Sequence, residues 1–125
     1  VQRAIKVLNR KGIAISRAKI LLLGAAYKKD IRDMRESPVE QVIEQLEAHD
    51  ADFEIHDPYV EEFHNERNGK TYGTIALGNL IKYDLIIVIT DHSCVDYKAI
   101  AESGVSVLDT RNAFKGIKAV NVEIL

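Results

Sequence analysis

The stretch KILLLGAAYKKDIRDMRESP, residues 19–38, decides how the rest of the chain is interpreted. It begins with an aliphatic run at Ile20–Leu23, which is typical of a strand covered on both faces, and Gly24 ends the run because glycine lets the backbone turn. At its far end Ser37 supplies an N-cap oxygen and Glu40 follows three residues later, which predicts a helix start with a capping box. The stretch therefore predicts a central strand of a mostly parallel sheet, then a charged loop, then a helix.

The loop between this strand and this helix carries both basic and acidic side chains. In open parallel sheets the loops at the carboxyl ends of the strands border the ligand crevice, and a helix N-terminus there favours anions. Lysine and arginine at that place indicate a phosphate ligand. The polar loop residues are Tyr27, Lys28, Lys29, Asp30, Arg32, Asp33, Arg35 and Glu36.

Strand and helix patterns alternate along the rest of the chain. The predicted elements are a helix at Val1–Arg10, a helix from Pro38 to about Ala48 with Asp50 in the left-handed conformation after it, a strand around Phe53–Ile55, a polar surface excursion at 61–70 with a turn at Asn68-Gly69, a short helix around Leu77–Ile81, a strand at Leu85–Thr90, a helix from about Asp96 to Ala101, a strand at Val105–Leu108 and an edge strand around Val120–Ile124. This alternation predicts an α/β fold: a Rossmann-like, doubly wound, mostly parallel sheet of about five strands with helices on both faces.

Composition restricts the class of protein. The chain has 125 residues, 46% hydrophobic and 29% charged, as in one soluble globular domain. Its net charge of −2 argues against a nucleic acid partner or an acidic membrane surface, so any anion site depends on local clustering of cations. The single cysteine, Cys94, cannot form an internal disulfide, and no signal-peptide pattern or membrane-length apolar run is present. Cytoplasmic localisation is the expectation.

Polar clusters directly follow the predicted strands. They are Gly24–Asp30 with Arg35–Pro38, His56–Tyr59, Thr90–Ser93 and Asp109–Asn112. Taken in that order, the four blocks resemble the C-terminal domain of the UDP-sugar 6-dehydrogenases, the UDP-glucose and UDP-N-acetylhexosamine dehydrogenase family, over nearly the whole chain. The sequence motifs AYKKD, TDHS and DTRN are most similar to those of the bacterial and archaeal branch acting on UDP-N-acetylglucosamine or UDP-N-acetylmannosamine.

The resemblance implies that this chain is one part of a larger enzyme. In that family an N-terminal Rossmann domain holds NAD, a central helical domain carries the nucleophilic cysteine, and the C-terminal domain closes over the UDP part of the UDP-sugar substrate. The whole enzyme, a homo-oligomer, oxidises the sugar C6 alcohol to a carboxylate in two NAD-dependent steps for polysaccharide precursor synthesis. Because the sequence starts at Val1 within a helical pattern, residues 1–12 are expected to be the tail of an inter-domain linking helix, and residues 13–125 the UDP-sugar-binding α/β domain.

The resemblance also assigns roles to residues by position. Tyr27 and Lys28 would meet the uridine diphosphate, and Arg111 would reach the nucleotide from a neighbouring strand end. Arg35 would reach toward NAD bound on the other domain. The resemblance implies no catalytic residue within this chain, which is expected to be inactive alone, and no metal site is predicted. Arg32 stands at a position that is often acidic in the matching branch, and Asp50 at one that is usually glycine.

Several simpler interpretations compete with these roles. Lys28 could be a solvated surface lysine, Arg35 could pair with an acidic neighbour in its own loop, and Tyr27 could belong to the core. Cys94 is interpreted as a small buried hydrophobe rather than a nucleophile. The remaining residues in question are the Asp-His neighbours His56, Asp57, Asp91 and His92, which lack metal-ligand spacing and are expected to cap strand ends, with a network linking them to the nucleotide site left open.

Two other functions remain as alternatives. The chain could be a non-catalytic α/β nucleotide-binding or oligomerisation module. A phosphoacceptor receiver module is disfavoured, because that design requires an acidic pair where this chain has Gly24-Ala25-Ala26.

Overall fold

The computed structural model describes residues 1–26, 29–30 and 37–125. Tyr27, Lys28 and Arg35 lie outside these residues. The elements in chain order are α1 (Gln2–Arg10), β1 (Lys19–Leu23), α2 (Val39–Ala48), β2 (Asp52–His56), β3 (Glu62–His64), β4 (Thr71–Gly73), β5 (Leu85–Val88), α3 (Tyr97–Glu102), β6 (Val107–Asp109) and β7 (Val122–Ile124).

Five of these strands form one parallel sheet. Their order is β2-β1-β5-β6-β7, and every adjacent pair is parallel. Strand β1 lies inside the sheet, where Leu22 faces Ile55 of β2 on one side and Ile87 of β5 on the other. Its four residues Ile20–Leu23 are at most 1% exposed, which confirms the prediction of a strand covered on both faces. The predicted edge strand is also confirmed, as β7.

Helices lie on both faces of the sheet, as predicted, because the side chains of β1 alternate between two cores. One core combines Leu8 of α1 and Ile43 of α2 with the β1 side chains Ile20 and Leu22. The other core contains Leu21 and Leu23 of β1 together with Val88, Ile100 and Phe114. No helix in the described part of the chain is long and apolar enough to span a membrane.

Helix α2 begins one residue later than the sequence predicts. Its first residue is Val39 rather than Pro38. The Ser37 hydroxyl accepts from the Val39 amide at 3.3 Å, whereas a capping box requires the Glu40 amide, so that part of the prediction is wrong. The same hydroxyl donates to the carbonyl of Ala25. Ser37 is therefore buried between the helix start and the end of β1, and it fastens one to the other.

The excursion predicted at 61–70 has more structure than its polar composition indicates. Strands β3 and β4 form an antiparallel ribbon in which Phe63 faces Tyr72, and Phe63 is buried in the core beside α2. The predicted turn is present, with Gly69 at φ +75°. The helix predicted around Leu77–Ile81 is instead a single 3-10 turn at Leu80–Lys82. Short strands of three residues offer too little periodicity to be recognised in sequence.

Candidate functional site

The crevice of this sheet lies at the carboxyl ends of β1 and β5. The chain leaves β1 toward β2 on one side and continues from β5 toward β6 and β7 on the other, so the strand order reverses between β1 and β5. Helix α2 follows β1 on one face and α3 follows β5 on the opposite face. The two loops diverge, and ligands of open α/β sheets bind at such a switch point.

Arg111 is the only one of the four predicted binding residues that lies within the described part of the chain. It is the second residue after β6, at this same edge of the sheet, and its side chain is 39% exposed. The guanidinium Nε lies 3.9 Å from Asp91 Oδ1, which is a loose pairing across the loops after β5 and β6. Tyr27, Lys28 and Arg35 lie by sequence between Ala26 and Ser37, two residues held at this edge.

A buried carboxylate shapes the loop that carries Arg111. Asp109 is fully buried, and its two oxygens accept from the amides of Arg111, Ala113 and Phe114 at 2.9–3.1 Å. Asn112 takes the left-handed conformation with φ +59° within this turn. The Arg111 backbone is therefore fixed, while its guanidinium remains accessible to a ligand.

A cavity of about 260 Å³ opens beside Arg111. Its wall is aliphatic, and Arg3 of α1 and Arg111 both line it, as does Pro38 before α2. Arg3 Nη1 is already paired with Glu123 at 3.0 Å, so the groups that suit an anionic ligand with an apolar part are the Arg111 guanidinium and the aliphatic surface beside it. A larger open depression of about 640 Å³ lies between α3 and residues 116–121, toward the amino ends of β6 and β7 and away from the predicted residues.

A second buried carboxylate, Asp57, holds the end of β1. Asp57 follows β2, is 4% exposed, and its Oδ2 accepts from the amides of Ala25 at 2.8 Å and Ala26 at 3.0 Å. Burial alone would raise the pKa of this carboxyl, but these two amides and the His92 imidazole outweigh it, so the pKa of Asp57 lies below its usual value. Asp57 is thus an ionised group that organises the loop after β1.

His92 connects Asp57 to Asp30. The imidazole is 1% exposed; its Nε2 lies 2.9 Å from Asp57 Oδ2, and its Nδ1 accepts from the Asp30 amide at 2.7 Å. Because Nδ1 is an acceptor, the geometry assigns the proton to Nε2, which donates to Asp57. The ring of Tyr59 lies against the imidazole with centroids 4.8 Å apart. Three strand ends, those of β1, β2 and β5, therefore meet through one histidine.

Asp30 is held in an unusual backbone conformation at this meeting point. Its φ is +64°, and its carboxylate accepts from the Ser93 amide and the Ser93 hydroxyl, both at 2.6 Å. These two hydrogen bonds hold the pKa of Asp30 below its usual value. Asp30 is consequently bonded twice to the loop after β5: its amide donates to His92, and its carboxylate accepts from Ser93.

From the sequence, the two Asp-His pairs are expected to cap strand ends, and a network linking them is left open; the structure joins Asp57 directly to His92. The interpretation of these residues as groups that bond loops at strand ends is confirmed for both of them. Among the residues that the structure describes, no three His, Cys, Asp or Glu side chains gather as metal ligands would. Cys94 is exposed, so its interpretation as a buried hydrophobe is wrong.

Comparison with known proteins places these features in a family. The family model for the UDP binding domain of the UDP-glucose/GDP-mannose dehydrogenase family matches residues 21–116. That range begins in β1 and includes the strand ends, Asp57, His92 and Arg111 described above.

Similar full-length proteins extend well beyond this chain. It is 36% identical over 86 residues to the UDP-N-acetyl-D-mannosamine dehydrogenase of Methanococcus maripaludis strain C7, a match that covers 68% of this chain and 18% of that protein. It is 29% identical over 93 residues to the UDP-N-acetyl-D-glucosamine 6-dehydrogenase of Salmonella typhi, covering 73% and 21%. The chain thus spans about a fifth of the length of these curated relatives.

A solved structure shows the same fold. The UDP-D-ManNAc dehydrogenase from Pyrococcus horikoshii superposes with a TM-score of 0.73 at 26% identity. The match covers 97% of this chain and 28% of that one. The Rossmann-like α/β architecture predicted from the alternation of elements is therefore confirmed by both the sheet and its structural neighbour.

Proposed function

We propose that this chain, which belongs to the UDP-glucose/GDP-mannose dehydrogenase family, is the UDP-binding domain of an NAD-dependent UDP-sugar 6-dehydrogenase. The whole enzyme oxidises the sugar C6 alcohol to a carboxylate in two steps, for polysaccharide precursor synthesis. The observation that carries the proposal is that the family match, residues 21–116, includes the carboxyl ends of β1, β2, β5 and β6 and the loop of Arg111. The relatives' names favour a UDP-N-acetylhexosamine over other UDP-sugars as the substrate.

The uridine diphosphate is proposed to contact Tyr27, Lys28 and Arg111. Support comes from Arg111, whose fixed backbone and exposed guanidinium suit recognition of a pyrophosphate, since the planar guanidinium donates in pairs. Lys28 and Tyr27 belong to the segment after β1, and both neighbouring attachment points, Ala26 and Asp30, are held at the same crevice. The tyrosine ring would serve as an apolar wall for the nucleotide.

NAD is proposed to be held chiefly by a separate domain, with Arg35 of this chain reaching toward it. The described end of β1 does not suit a dinucleotide pyrophosphate. A dinucleotide site uses free backbone amides in a glycine-rich turn, whereas here Gly24 is followed by two alanines whose amides already donate to Asp57. The Asp57 carboxylate thus already occupies the two amides that a phosphate would need as donors.

The remaining features of the whole protein are proposals of the same kind. Residues 1–12 form the tail of a linking helix and residues 13–125 the UDP-sugar-binding domain, with α1 packed on the sheet through Ala4 and Leu8. Its partners are the NAD domain and the central helical domain that supplies the cysteine nucleophile. The enzyme is a cytoplasmic homo-oligomer, and this chain is inactive without those domains.

Titration of the chain with UDP tests the proposal. Calorimetry is expected to show binding that weakens about ten- to a hundredfold in Arg111→Ala, because a charge-assisted hydrogen bond to phosphate is lost. Arg17→Ala is the matched control; Arg17 is an exposed arginine in the turn before β1, at the opposite edge of the sheet, and its loss should leave affinity unchanged. Equal affinity for UDP in wild type and Arg111→Ala would show that Arg111 does not contact the nucleotide. If wild type shows no binding at millimolar UDP, the alternative function as an oligomerisation module is favoured instead.

A further inference from the structure

We propose that His92 is a positioning residue for the UDP site, where its neutral imidazole holds the two ends of the segment carrying Tyr27 and Lys28. The inference rests on the proposed function, since it concerns the geometry of that same site. His92 itself is buried and touches no ligand; it acts through the backbone on either side of the two binding residues.

The segment is fixed at both ends by one hydrogen-bonded path. On its amino-terminal side the Ala26 amide donates to Asp57 Oδ2 at 3.0 Å, and the same oxygen lies 2.9 Å from His92 Nε2. On its carboxyl-terminal side the Asp30 amide donates to His92 Nδ1 at 2.7 Å. Only residues 27–29 lie between the two attachment points. The imidazole therefore sets the distance between the two attachment points, Ala26 and Asp30, which residues 27–29 connect.

Holding these ends before the ligand arrives favours binding. Backbone that is held at Ala26 and Asp30 on folding does not lose that freedom again on binding, so preorganisation of these two ends raises affinity without adding a contact. The left-handed backbone of Asp30 and its two bonds to Ser93 show that the carboxyl-terminal end is held in a conformation that a free loop would seldom adopt.

The path requires a neutral imidazole with its proton on Nε2. Nε2 must donate to Asp57 while Nδ1 accepts from Asp30, and no other side chain has a donor and an acceptor at this separation on one rigid ring. A second proton on Nδ1 would face the Asp30 amide, donor against donor. It would instead be attracted to the Asp30 carboxylate, whose Oδ1 lies 4.0 Å away and is now bonded to Ser93. Protonation thus breaks the attachment of Asp30.

The groups around the imidazole are defined by the elements packed against it. Asp57 and Tyr59 face it from the loop after β2, and Asp30 with its neighbour Lys29 from the segment after β1. From the first residue of α3, the hydroxyl of Tyr97 donates to the His92 carbonyl at 2.7 Å. The Tyr97 hydroxyl bonds the backbone rather than the ring, so it keeps the loop in place in any His92 variant.

Two substitutions each preserve one half of the path. His92→Asn keeps an acceptor at the Nδ1 position and loses the donor to Asp57, whereas His92→Gln keeps a donor at the Nε2 position and loses the acceptor for Asp30. In calorimetric titrations of the full 125-residue chain, the Kd for UDP is expected to rise about tenfold in each variant, the loss of one buried hydrogen bond. His64→Gln, on the exposed face of β3, is the control and should bind as wild type does.

The pH dependence separates positioning from a purely structural role. The ratio of the His92→Asn Kd to the wild-type Kd should be about ten when the ring is neutral and approach one as the ring protonates, because the asparagine amide does not titrate. Titration of the UDP phosphates cancels in this ratio. Ring nitrogen NMR shifts of wild type should show a protonated Nε2 and a bare Nδ1 at pH 8, and they give the pH at which the ring gains its second proton.

The outcomes are distinguishable. Circular dichroism first establishes that both variants fold, and if one does not, the other variant and the wild-type NMR shifts still decide. Unchanged UDP affinity in the folded variants, a constant ratio across pH, or a proton on Nδ1 at pH 8 would each overturn the role of His92 and leave the proposed function intact. Wild-type chain with the expected ring nitrogens but no binding of UDP would overturn the proposed function, and this inference with it.

Discussion

Gly24, at the end of β1, lies close against the backbone of Thr90 at the crevice. It has φ +94°, and a Cβ placed on it would lie 2.5 Å from Thr90 Cβ and 2.6 Å from the Thr90 amide nitrogen. Thr90 is itself held, since its hydroxyl donates to the Ala26 carbonyl. Both the conformation and the lack of space therefore require glycine at the end of β1.

Replacement of Gly24 by alanine should lower the free energy of unfolding by about 3 kcal/mol, combining left-handed strain with displacement of the β5 end. Urea unfolding measures this loss. Gly116→Ala is the control, because Gly116 has φ +83° but nothing lies within 4 Å of the place its new methyl group would take, so only strain of about 1 kcal/mol is expected. Equal losses in the two variants would mean that contact with Thr90 is unimportant.

The ribbon of β3 and β4 is fastened to helix α2 through one glutamate. Glu47 accepts from the Tyr72 hydroxyl at 2.9 Å, from Asn68 Nδ2 at 3.1 Å and from Lys70 Nζ at 3.0 Å. Partial burial would raise the pKa of Glu47, but its bonds to Lys70 and Tyr72 hold it below the usual value. The ribbon of β3 and β4 is therefore attached to α2 by polar contacts as well as by the packing of Phe63.

Tyr72→Phe should lower the free energy of unfolding by about 1 kcal/mol and speed amide hydrogen exchange within residues 62–73. The ring keeps its packing against Phe63, so only the hydroxyl contacts are lost. Tyr83→Phe removes a comparable bond, to Glu54 at 3.1 Å, outside the ribbon. It should cost similar stability while leaving exchange in the ribbon unchanged, and faster exchange there in both variants would contradict a local role for Tyr72.

Elements with a continuous or periodic pattern could be predicted from sequence, and those without one could not. The aliphatic runs in β1 and β5 each mark a strand covered on both faces. The ribbon strands are three residues long and mostly polar, so only the turn at Asn68-Gly69 carried a local signal.

The same distinction applies to the candidate site. Arg111 follows a predictable strand, so its place at the carboxyl edge of the sheet could be predicted, whereas its role in nucleotide binding is implied by the resemblance of the block Asp109–Asn112. The pairing of Asp57 with His92 could not, because these residues follow β2 and β5, which both flank β1 without touching each other in the sheet. Their meeting depends on the strand order, which no local pattern contains.

Across the whole molecule, carboxylates with lowered pKa values lie where separate parts of the chain are joined. Glu123 of β7 pairs with Arg3 and Arg10 of α1, and these hydrogen bonds lower its pKa. Glu47 joins α2 to the ribbon, and Asp57 joins three strand ends. Protonation in acid should therefore weaken the contacts of Glu123, Glu47 and Asp57 over the same range of pH.

The direction in which pH changes the free energy of unfolding follows from the pKa of each group in the folded and unfolded states. Asp57 has a folded-state pKa below the value of about 3.9 expected in the unfolded chain, so its contribution to stability is present above about pH 4 and is lost as the pH falls through the folded-state pKa. The unfolded chain binds more protons in that range, and the free energy of unfolding must decrease with falling pH.

Asp57→Asn tests this linkage, because the neutral amide cannot serve as the anionic acceptor for the Ala25 and Ala26 amides and His92. At pH 7 the variant should be less stable than wild type by about 3 kcal/mol, and the difference should narrow as the pH falls below about 4, because Asp57 of the unfolded wild-type chain then binds a proton more readily than Asp57 of the folded chain. Urea unfolding at a series of pH values measures both. Asp52→Asn, at the exposed start of β2, serves as the control and should follow the wild-type curve. A difference between Asp57→Asn and wild type that stays constant down to pH 3 would show that packing, rather than the carboxylate charge, accounts for the loss.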